Sequence, residues 1–596
     1  MKHSQLMTGN QSIARGFYEA GGLLASSYPG SPTVGILSSV QQYDEIYSEF
    51  SINEKVALEV GIGASFAGGR TMVSMKHVGL NIASDPFMTF TQTKINGGFL
   101  LVTGDDPGMA SSQNEQDNRL FAKFANCPIF DPSNSEEAKM FVKEGLDMSE
   151  QYHCPVVMRI TSRLCHSRSV VTLDERTEKE NPSFSGEIKD FGMIPPNTFK
   201  KQFDMQERIK ALEEVANTAT YNYYKKGTSK EVLIVTSGLM YNNLMELNLD
   251  VSIYKLGMVY PLPIKKLKEL SQEYRQIIVL EEMMPFIENE LKINGISCEG
   301  KKYFSFTGEL FSEIIEEGLL KAGVIKEKQY KEETAVETVA RLPMFCAGCP
   351  HRPVFDILKK TRKKIIGDIG CYSLSILYPL EVSNSVISMG ASIGIAKGMA
   401  KVNQLKQKNE PVIAVIGDGT FFHSGITGML NLLHQNKNEN ITILILNNGL
   451  TAMTGGQENA STGNYIENAD MKVYIPTLLE AAGLPKVQVV DQFKYKEAKQ
   501  VINDAIKHEG LSIVMTTRPC ALNFKIKEPH YYVDPEICIG CRTCLKTNCP
   551  PILMKEYEGM EKLKSSIDST MCVGCSVCSQ VCPVGAIKCS EVNKDE

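Results

Sequence analysis

Short apolar runs separated by glycine-punctuated segments of helical period recur along most of the chain. Residues 232–235 (Val-Leu-Ile-Val) and 277–280 (Ile-Ile-Val-Leu) are short, rich in β-branched side chains and bounded by turn or charged residues. That pattern predicts strands buried on both faces of a parallel sheet. Residues 412–416 and 441–446 have the same character, and each run ends in a Gly- or Asn-rich loop, where open α/β sheets place their ligands. The alternation predicts an α/β fold. At 596 residues the chain exceeds one hydrophobic core, so three or four domains are expected. Periodicity lapses over residues 175–201, which hold Asn181-Pro182 and Pro195-Pro196 and read as a linker, and again over the charged residues 326–337. The resulting blocks are 1–185, 200–325, 340–525 and a last segment, 529–590, of a different kind.

Composition narrows the class. Hydrophobic residues make up 43% and charged residues 22%, the balance of a folded protein. A net charge of -6 gives no basic face for a phosphate backbone, so a small-molecule partner is expected rather than nucleic acid. Residues 1–10 carry no apolar run behind Lys2, and runs such as 441–446 are far short of the roughly 20 residues a membrane helix needs. A cytoplasmic protein without membrane association is expected. Of 17 cysteines, eight crowd between Cys538 and Cys582, which points to ligation rather than disulfides.

Those eight form a two-fold repeat. Cys538, Cys541 and Cys544 are spaced Cys-x2-Cys-x2-Cys with Cys549-Pro550 following, and Cys572, Cys575 and Cys578 repeat the spacing with Cys582-Pro583 following. Paired zinc sites are one reading, since Cys-x2-Cys suits tetrahedral zinc, but zinc rarely takes this triple spacing twice with terminal Cys-Pro. The repeat resembles a bacterial two-cluster ferredoxin domain, in which the fourth cysteine of each run serves the other cluster. The resemblance implies one [4Fe-4S] cluster on Cys538, Cys541, Cys544 and Cys582, and a second on Cys572, Cys575, Cys578 and Cys549. The first run has four residues before its last cysteine where the family has three. Cys589 is left over as a thiol, and Cys127, Cys154, Cys165 and Cys298 read as core residues.

A second site is written at the ends of two apolar runs. Gly417-Asp418-Gly419 closes one, and Asn447-Asn448 closes the next after 27 intervening residues. Alone the tripeptide is an ordinary strand-ending turn. Together they resemble the GDG…NN signature of thiamine-diphosphate enzymes, where a carboxylate and amide oxygens hold the Mg2+ that anchors the diphosphate. The resemblance assigns the anchor to Asp418, Asn448 and the Leu450 carbonyl, with Gly417 and Gly419 allowing close backbone approach. The loop 451–457, with Thr454-Gly455-Gly456-Gln457, resembles that of pyruvate:ferredoxin oxidoreductases.

Such enzymes also use a helix-initiating glutamate that protonates the aminopyrimidine ring. Asn53-Glu54-Lys55-Val56-Ala57, with Gly63 nine residues after Glu54, fits this pattern; Glu59 is the competing candidate, otherwise a solvated helix position. Tyr28-Pro29-Gly30-Ser31-Pro32-Thr33 resembles the substrate-side loop of 2-oxoacid oxidoreductases. Met75-Lys76-His77-Val78-Gly79-Leu80-Asn81, Gly104-Asp105-Asp106-Pro107-Gly108 and Ser111-Ser112-Gln113-Asn114-Glu115-Gln116-Asp117 resemble the indolepyruvate branch of that family. His77 is a candidate site residue there, or a packed core histidine. Cys346-Ala347-Gly348-Cys349-Pro350-His351-Arg352, Cys371 and Cys520 match loosely a further cluster site of relatives, and structural thiols or mononuclear zinc stay open.

The chain is thus similar to 2-oxoacid:ferredoxin oxidoreductases over nearly its whole length. That resemblance implies a thiamine-diphosphate-binding fold made of a pyrimidine domain (1–185) and a diphosphate domain (340–525), with a transketolase-C-like middle domain (200–325) and a two-cluster ferredoxin domain (529–590). It implies oxidative decarboxylation of aryl pyruvates (indolepyruvate, phenylpyruvate, hydroxyphenylpyruvate) with coenzyme A, and electrons passed to ferredoxin. A smaller beta subunit is expected, in an alpha2beta2 assembly. Pyruvate or branched-chain oxidation, non-oxidative decarboxylation to an aldehyde, and a purely electron-transferring subunit are the alternatives.

Overall fold

Strands form where the apolar runs lie in the computed structural model, which describes residues 3–328, 330, 343–435, 439–462, 472–525 and 528–590. The chain divides into two units, Met1–Val336 and Glu337–Glu596. In the first, the strands in chain order are β1 (Ser4–Thr8), β2 (Leu24–Ser27), β3 (Tyr47–Phe50), β4 (Thr71–Lys76), β5 (Phe99–Asp105), β6 (Ile129–Phe130), β7 (Val156–Thr161), β8 (Arg168–Thr172), β9 (Tyr223–Lys225), β10 (Val232–Ser237), β11 (Ser252–Leu256), β12 (Met258–Tyr260) and β13 (Gln276–Leu280). Seven of them make one sheet in the order β12-β6-β7-β5-β4-β2-β3, parallel except for β12. Its central strands are apolar on both faces because both are covered. Val73, Met75 and Leu101 enter one core with Leu58, Phe87 and Phe90, while Met72, Leu100 and Val102 enter another with Ile13, Phe17 and Phe141.

Residues 232–235 and 277–280 are parallel partners, as expected, in a second sheet ordered β13-β10-β11-β9. Between β11 and β13 the chain leaves that sheet, and β12 pairs antiparallel with β6. Arg119, buried and paired with Asp117 at 2.5 Å, also reaches Glu281 at the end of β13 at 2.8 Å, while Arg159 on β7 pairs with Asp105 on β5 at 2.9 Å. The polar residues 175–201 are more ordered than a linker. They contain the short helix Ile188–Phe191 and the start of the helix Asn197–Thr218. Phe191 packs on Phe66 and Phe184 at ring distances of 4.8 and 4.6 Å, and Pro195-Pro196 lies at the start of the long helix, where proline's fixed φ is tolerated. Most of the charged stretch 326–337 lies outside the described residues.

The second unit contains β14 (Lys364–Ile366), β15 (Val412–Gly417), β16 (Ile441–Leu446), β17 (Val487–Val490) and β18 (Leu511–Thr516) in the all-parallel order β14-β15-β16-β18-β17. Alternate residues of β15 and β16 feed opposite cores: Ile413, Val415 and Leu444 on one face, and Ala414, Ile416 and Ile443 on the other. The cysteine-rich end is built from two small antiparallel pairs, β19 (Tyr531–Val533) with β22 (Ile587–Cys589), and β20 (Ile552–Lys555) with β21 (Lys564–Ile567). Among the described residues no helix is long and apolar enough to cross a membrane.

Candidate active site

In-register pairing of Gly417 with Leu446 makes β15 and β16 end side by side, so Asp418 and Asn448 emerge as neighbours. Asp418 is buried; its Oδ1 accepts from the Asn448 N–H at 3.5 Å, and its Oδ2 from Asn459 Nδ2 at 2.9 Å and Ser461 Oγ at 3.1 Å. Burial pushes this carboxyl up from its ordinary pKa, and those donors pull it back. Asn448 Oδ1 accepts from the Leu450 N–H at 3.2 Å, across Gly449 at φ 77°, a left-handed turn that glycine adopts without strain. A buried carboxylate beside an amide oxygen is a hard-oxygen donor set that suits Mg2+. Asp368, at the end of the neighbouring β14, is fully buried and accepts from the N–H groups of Ile369, Gly390 and Ser392 at 2.8–2.9 Å.

The eight cysteines separate into two cavities by the exchanged grouping. One is lined by Cys538, Cys541, Cys544 and Cys582, the other by Cys549, Cys572, Cys575 and Cys578 together with Cys349. The extra residue in the first run is absorbed in the turn at Asn548, which takes a left-handed φ of 54°. Burial pushes Cys575 up to about 11 and Cys578 higher still, so occupation of this cavity by a metal centre is coupled to proton release. Cys589 is an exposed thiol outside both cavities. Cys127, Cys154, Cys165 and Cys298 are buried in the cores.

Cys346, Cys349, Cys371 and Cys520 share a neighbourhood at the start of this unit. Cys371, pushed up to about 11 chiefly by burial, is raised further by Cys520 and Cys346, and Cys349, at about 12, by Cys371 and Cys346. The backbone N–H of Cys520 donates to the Asn448 carbonyl at 3.1 Å, which joins this group to the oxygen-donor site.

In the first unit, Asn53 caps the helix Glu54–Phe66 through a 2.9 Å bond from the Val56 N–H, and Glu54 is only 6% exposed. Glu59 lies on the solvated face in an ion pair with Lys55. His77, at the end of β4, is fully buried with Nδ1 3.3 Å from the Gly104 carbonyl oxygen; burial, then the Lys76 charge, pushes its pKa down, favouring the neutral ring. The loop 28–33 closes over the same strand ends: Gly30 lies against the Lys76 side chain, and Thr33 and Pro32 against Gly104. Asp106 gathers hydroxyl donors from Ser111, Ser112 and Ser162 at 3.2, 2.6 and 2.5 Å. These segments therefore meet at the C-terminal ends of the central strands β4 and β5 of the seven-stranded sheet.

Sequence reading left Asn459, Ser461 and Asp368 without a role. Asp368 stands in the run Gly367-Asp368-Ile369-Gly370 after a strand, a signal of the same kind as Gly417-Asp418-Gly419. Asn459 and Ser461 have only an Asx-turn pattern, the Ser461 N–H donating to Asn459 Oδ1 at 2.9 Å, which marks a turn and not a site.

Comparison with known proteins identifies the families of two segments and of the whole chain. Residues 368–516 match the family "Thiamine pyrophosphate enzyme, C-terminal TPP binding domain", and residues 530–583 match "4Fe-4S dicluster domain". The chain is 36% identical to the indolepyruvate oxidoreductase subunit IorA of Pyrococcus horikoshii, over 98% of this chain and 96% of the relative. The chain belongs to the indolepyruvate oxidoreductase subunit IorA family. Members from Archaeoglobus fulgidus and Methanothermobacter thermautotrophicus are 34% and 33% identical, over 98% of this chain and 98% and 97% of theirs. The family fixes the fold as that of a thiamine-diphosphate-dependent oxidoreductase with an iron–sulphur domain, and decides the cysteine repeat for iron–sulphur over zinc.

Proposed function

We propose that the chain is the catalytic subunit of a cytoplasmic enzyme that oxidatively decarboxylates aryl pyruvates (indolepyruvate, phenylpyruvate, hydroxyphenylpyruvate) with coenzyme A, giving aryl-acetyl-CoA, CO2 and reduced ferredoxin. The observation that carries this reading is the presence in one unit of a buried oxygen-donor site at the strand ends and two cysteine-lined cavities. Thiamine diphosphate, when bound, supplies a nucleophilic carbon and an electron sink for loss of CO2. Asp418, Asn448 and the Leu450 carbonyl hold its Mg2+. Glu54 holds a proton at the aminopyrimidine ring, from a buried position that Glu59 lacks. His77, neutral and buried, orients groups at the substrate edge of the first sheet.

The exchanged cysteine groups hold two [4Fe-4S] clusters, and Cys346, Cys349, Cys371 and Cys520 hold a third beside the oxygen-donor site. A smaller beta subunit completes an alpha2beta2 enzyme, as the relatives' designation as a subunit supports. Anaerobic turnover with indolepyruvate, phenylpyruvate, hydroxyphenylpyruvate, pyruvate and branched-chain 2-oxo acids tests the substrate class. The expected result is kcat/KM at least tenfold higher for the aryl acids; a preference for pyruvate or branched-chain acids overturns it.

A further inference from the structure

Arg352 is 4% exposed, and its guanidinium is held from two sides. Nε donates to the Cys346 carbonyl at 2.9 Å and Nη1 to the Thr547 carbonyl at 3.3 Å, while the ring of Phe345 lies 5.8 Å from its central carbon. Nη2 is buried and has no hydrogen-bond partner among the described residues. Arg352 lines the cavity of Cys549, Cys572, Cys575 and Cys578. Arginine stays protonated even when buried, and an unmet charged donor is costly, so the fork calls for an electron-rich acceptor in that cavity.

We propose that Arg352 is a positioning residue for electron transfer, donating from Nη2 to a sulphur of the cluster held by Cys549, Cys572, Cys575 and Cys578 and raising that cluster's reduction potential. Each one-electron reduction adds a negative charge to a centre already surrounded by thiolates. A fixed cation at short range in a low-dielectric cavity stabilises the reduced form. The bond to the Cys346 carbonyl and the bond to Thr547, two residues before Cys549, place this charge between the two groups of cysteines. The inference rests on the exchanged-ligand reading of the clusters.

Redox titration of the anaerobic holoenzyme, followed by paramagnetic resonance, tests it, with the cluster identified as the one lost in Cys549→Ser. In Arg352→Gln the equilibrium for reducing that cluster is expected to fall at least tenfold, about 59 mV for a one-electron couple, with the cluster of Cys538, Cys541, Cys544 and Cys582 unmoved. Arg352→Lys keeps the charge but not the fork, and is expected to stay within a few-fold of the wild type. Unchanged potentials in Arg352→Gln, a shift confined to clusters other than that of Cys549, or an equal shift in both variants overturns the proposal. If Arg352→Gln loses the cluster, the lysine variant decides: a wild-type potential supports the role of charge, and a full shift refutes it. Iron content of the wild type is read first; a chain with no cluster in this cavity defeats the ligand reading itself, and the inference with it.

Discussion

The Glu54 carboxyl lies so close to Gly79 that a Cβ on residue 79 would come within 2.6 Å of Glu54 Cγ and 2.8 Å of its Oε1. The start of one helix is thereby seated on the segment that carries His77. Glu54→Gln is expected to retain thiamine diphosphate and iron but to slow hydrogen–deuterium exchange at the thiazolium C2 by on the order of 10²-fold, since the amide cannot give a proton to the pyrimidine. Glu59→Gln is expected to exchange at the wild-type rate. Slow exchange in Glu59→Gln with normal exchange in Glu54→Gln transfers the role.

Asp418→Ala removes the charged member of the oxygen-donor set and leaves Asn459 Nδ2 without its acceptor. The expected result is weaker thiamine diphosphate binding, with activity recovered at high cofactor and Mg2+. Calorimetric titration with thiamine diphosphate and Mg2+ checks it. Unaltered affinity with a depressed saturated rate places the residue elsewhere.

Cys549→Ser is expected to damage the cluster of the later cysteine run, because Cys549 shares a cavity with Cys572, Cys575 and Cys578 rather than with Cys544. Paramagnetic resonance of the reduced protein should lose that cluster's signal and keep the signal of the cluster held by Cys538, Cys541, Cys544 and Cys582. Circular dichroism distinguishes this from unfolding, and loss of the earlier run's cluster instead, in a folded protein, would contradict the exchange.

Glu282 is buried beneath the Leu310 N–H, which it accepts at 2.9 Å, and burial raises its pKa from 4.5 to about 7. Between those values the unfolded chain has released a proton that the folded chain keeps, so this group makes stability fall as pH rises through the window. Glu282→Gln escapes that loss. Melting of wild type and variant between about pH 5 and pH 8 is expected to show the variant gaining progressively, by up to roughly 3 kcal/mol. A gap that stays constant or narrows with pH goes against it.

Much of this was legible in the sequence because strands covered on both faces are continuously apolar: residues 412–416 and 441–446 announce both their burial and the loops that follow. The cysteine repeat was equally plain, since one spacing occurs twice. What escaped were contacts made across long separations. Nothing local shows that Asn459 and Ser461 reach back to Asp418, or that Met258–Tyr260 leaves the middle sheet to pair with Ile129–Phe130. The polar run before the long helix hid its order because three phenylalanines, Phe66, Phe184 and Phe191, provide the anchoring, and only two of them lie within it.

The most direct test of the whole reading is the electron balance of the purified chain with its smaller partner subunit, under anaerobic conditions with indolepyruvate, coenzyme A and ferredoxin. The chain alone is expected to hold thiamine diphosphate and iron but to turn over poorly until the partner is added. The assembled enzyme should release CO2 and form indoleacetyl-CoA with about two one-electron ferredoxin reductions per CO2, because loss of CO2 leaves one electron pair to be removed. Release of CO2 with indoleacetaldehyde, and no reduction of ferredoxin, would contradict it.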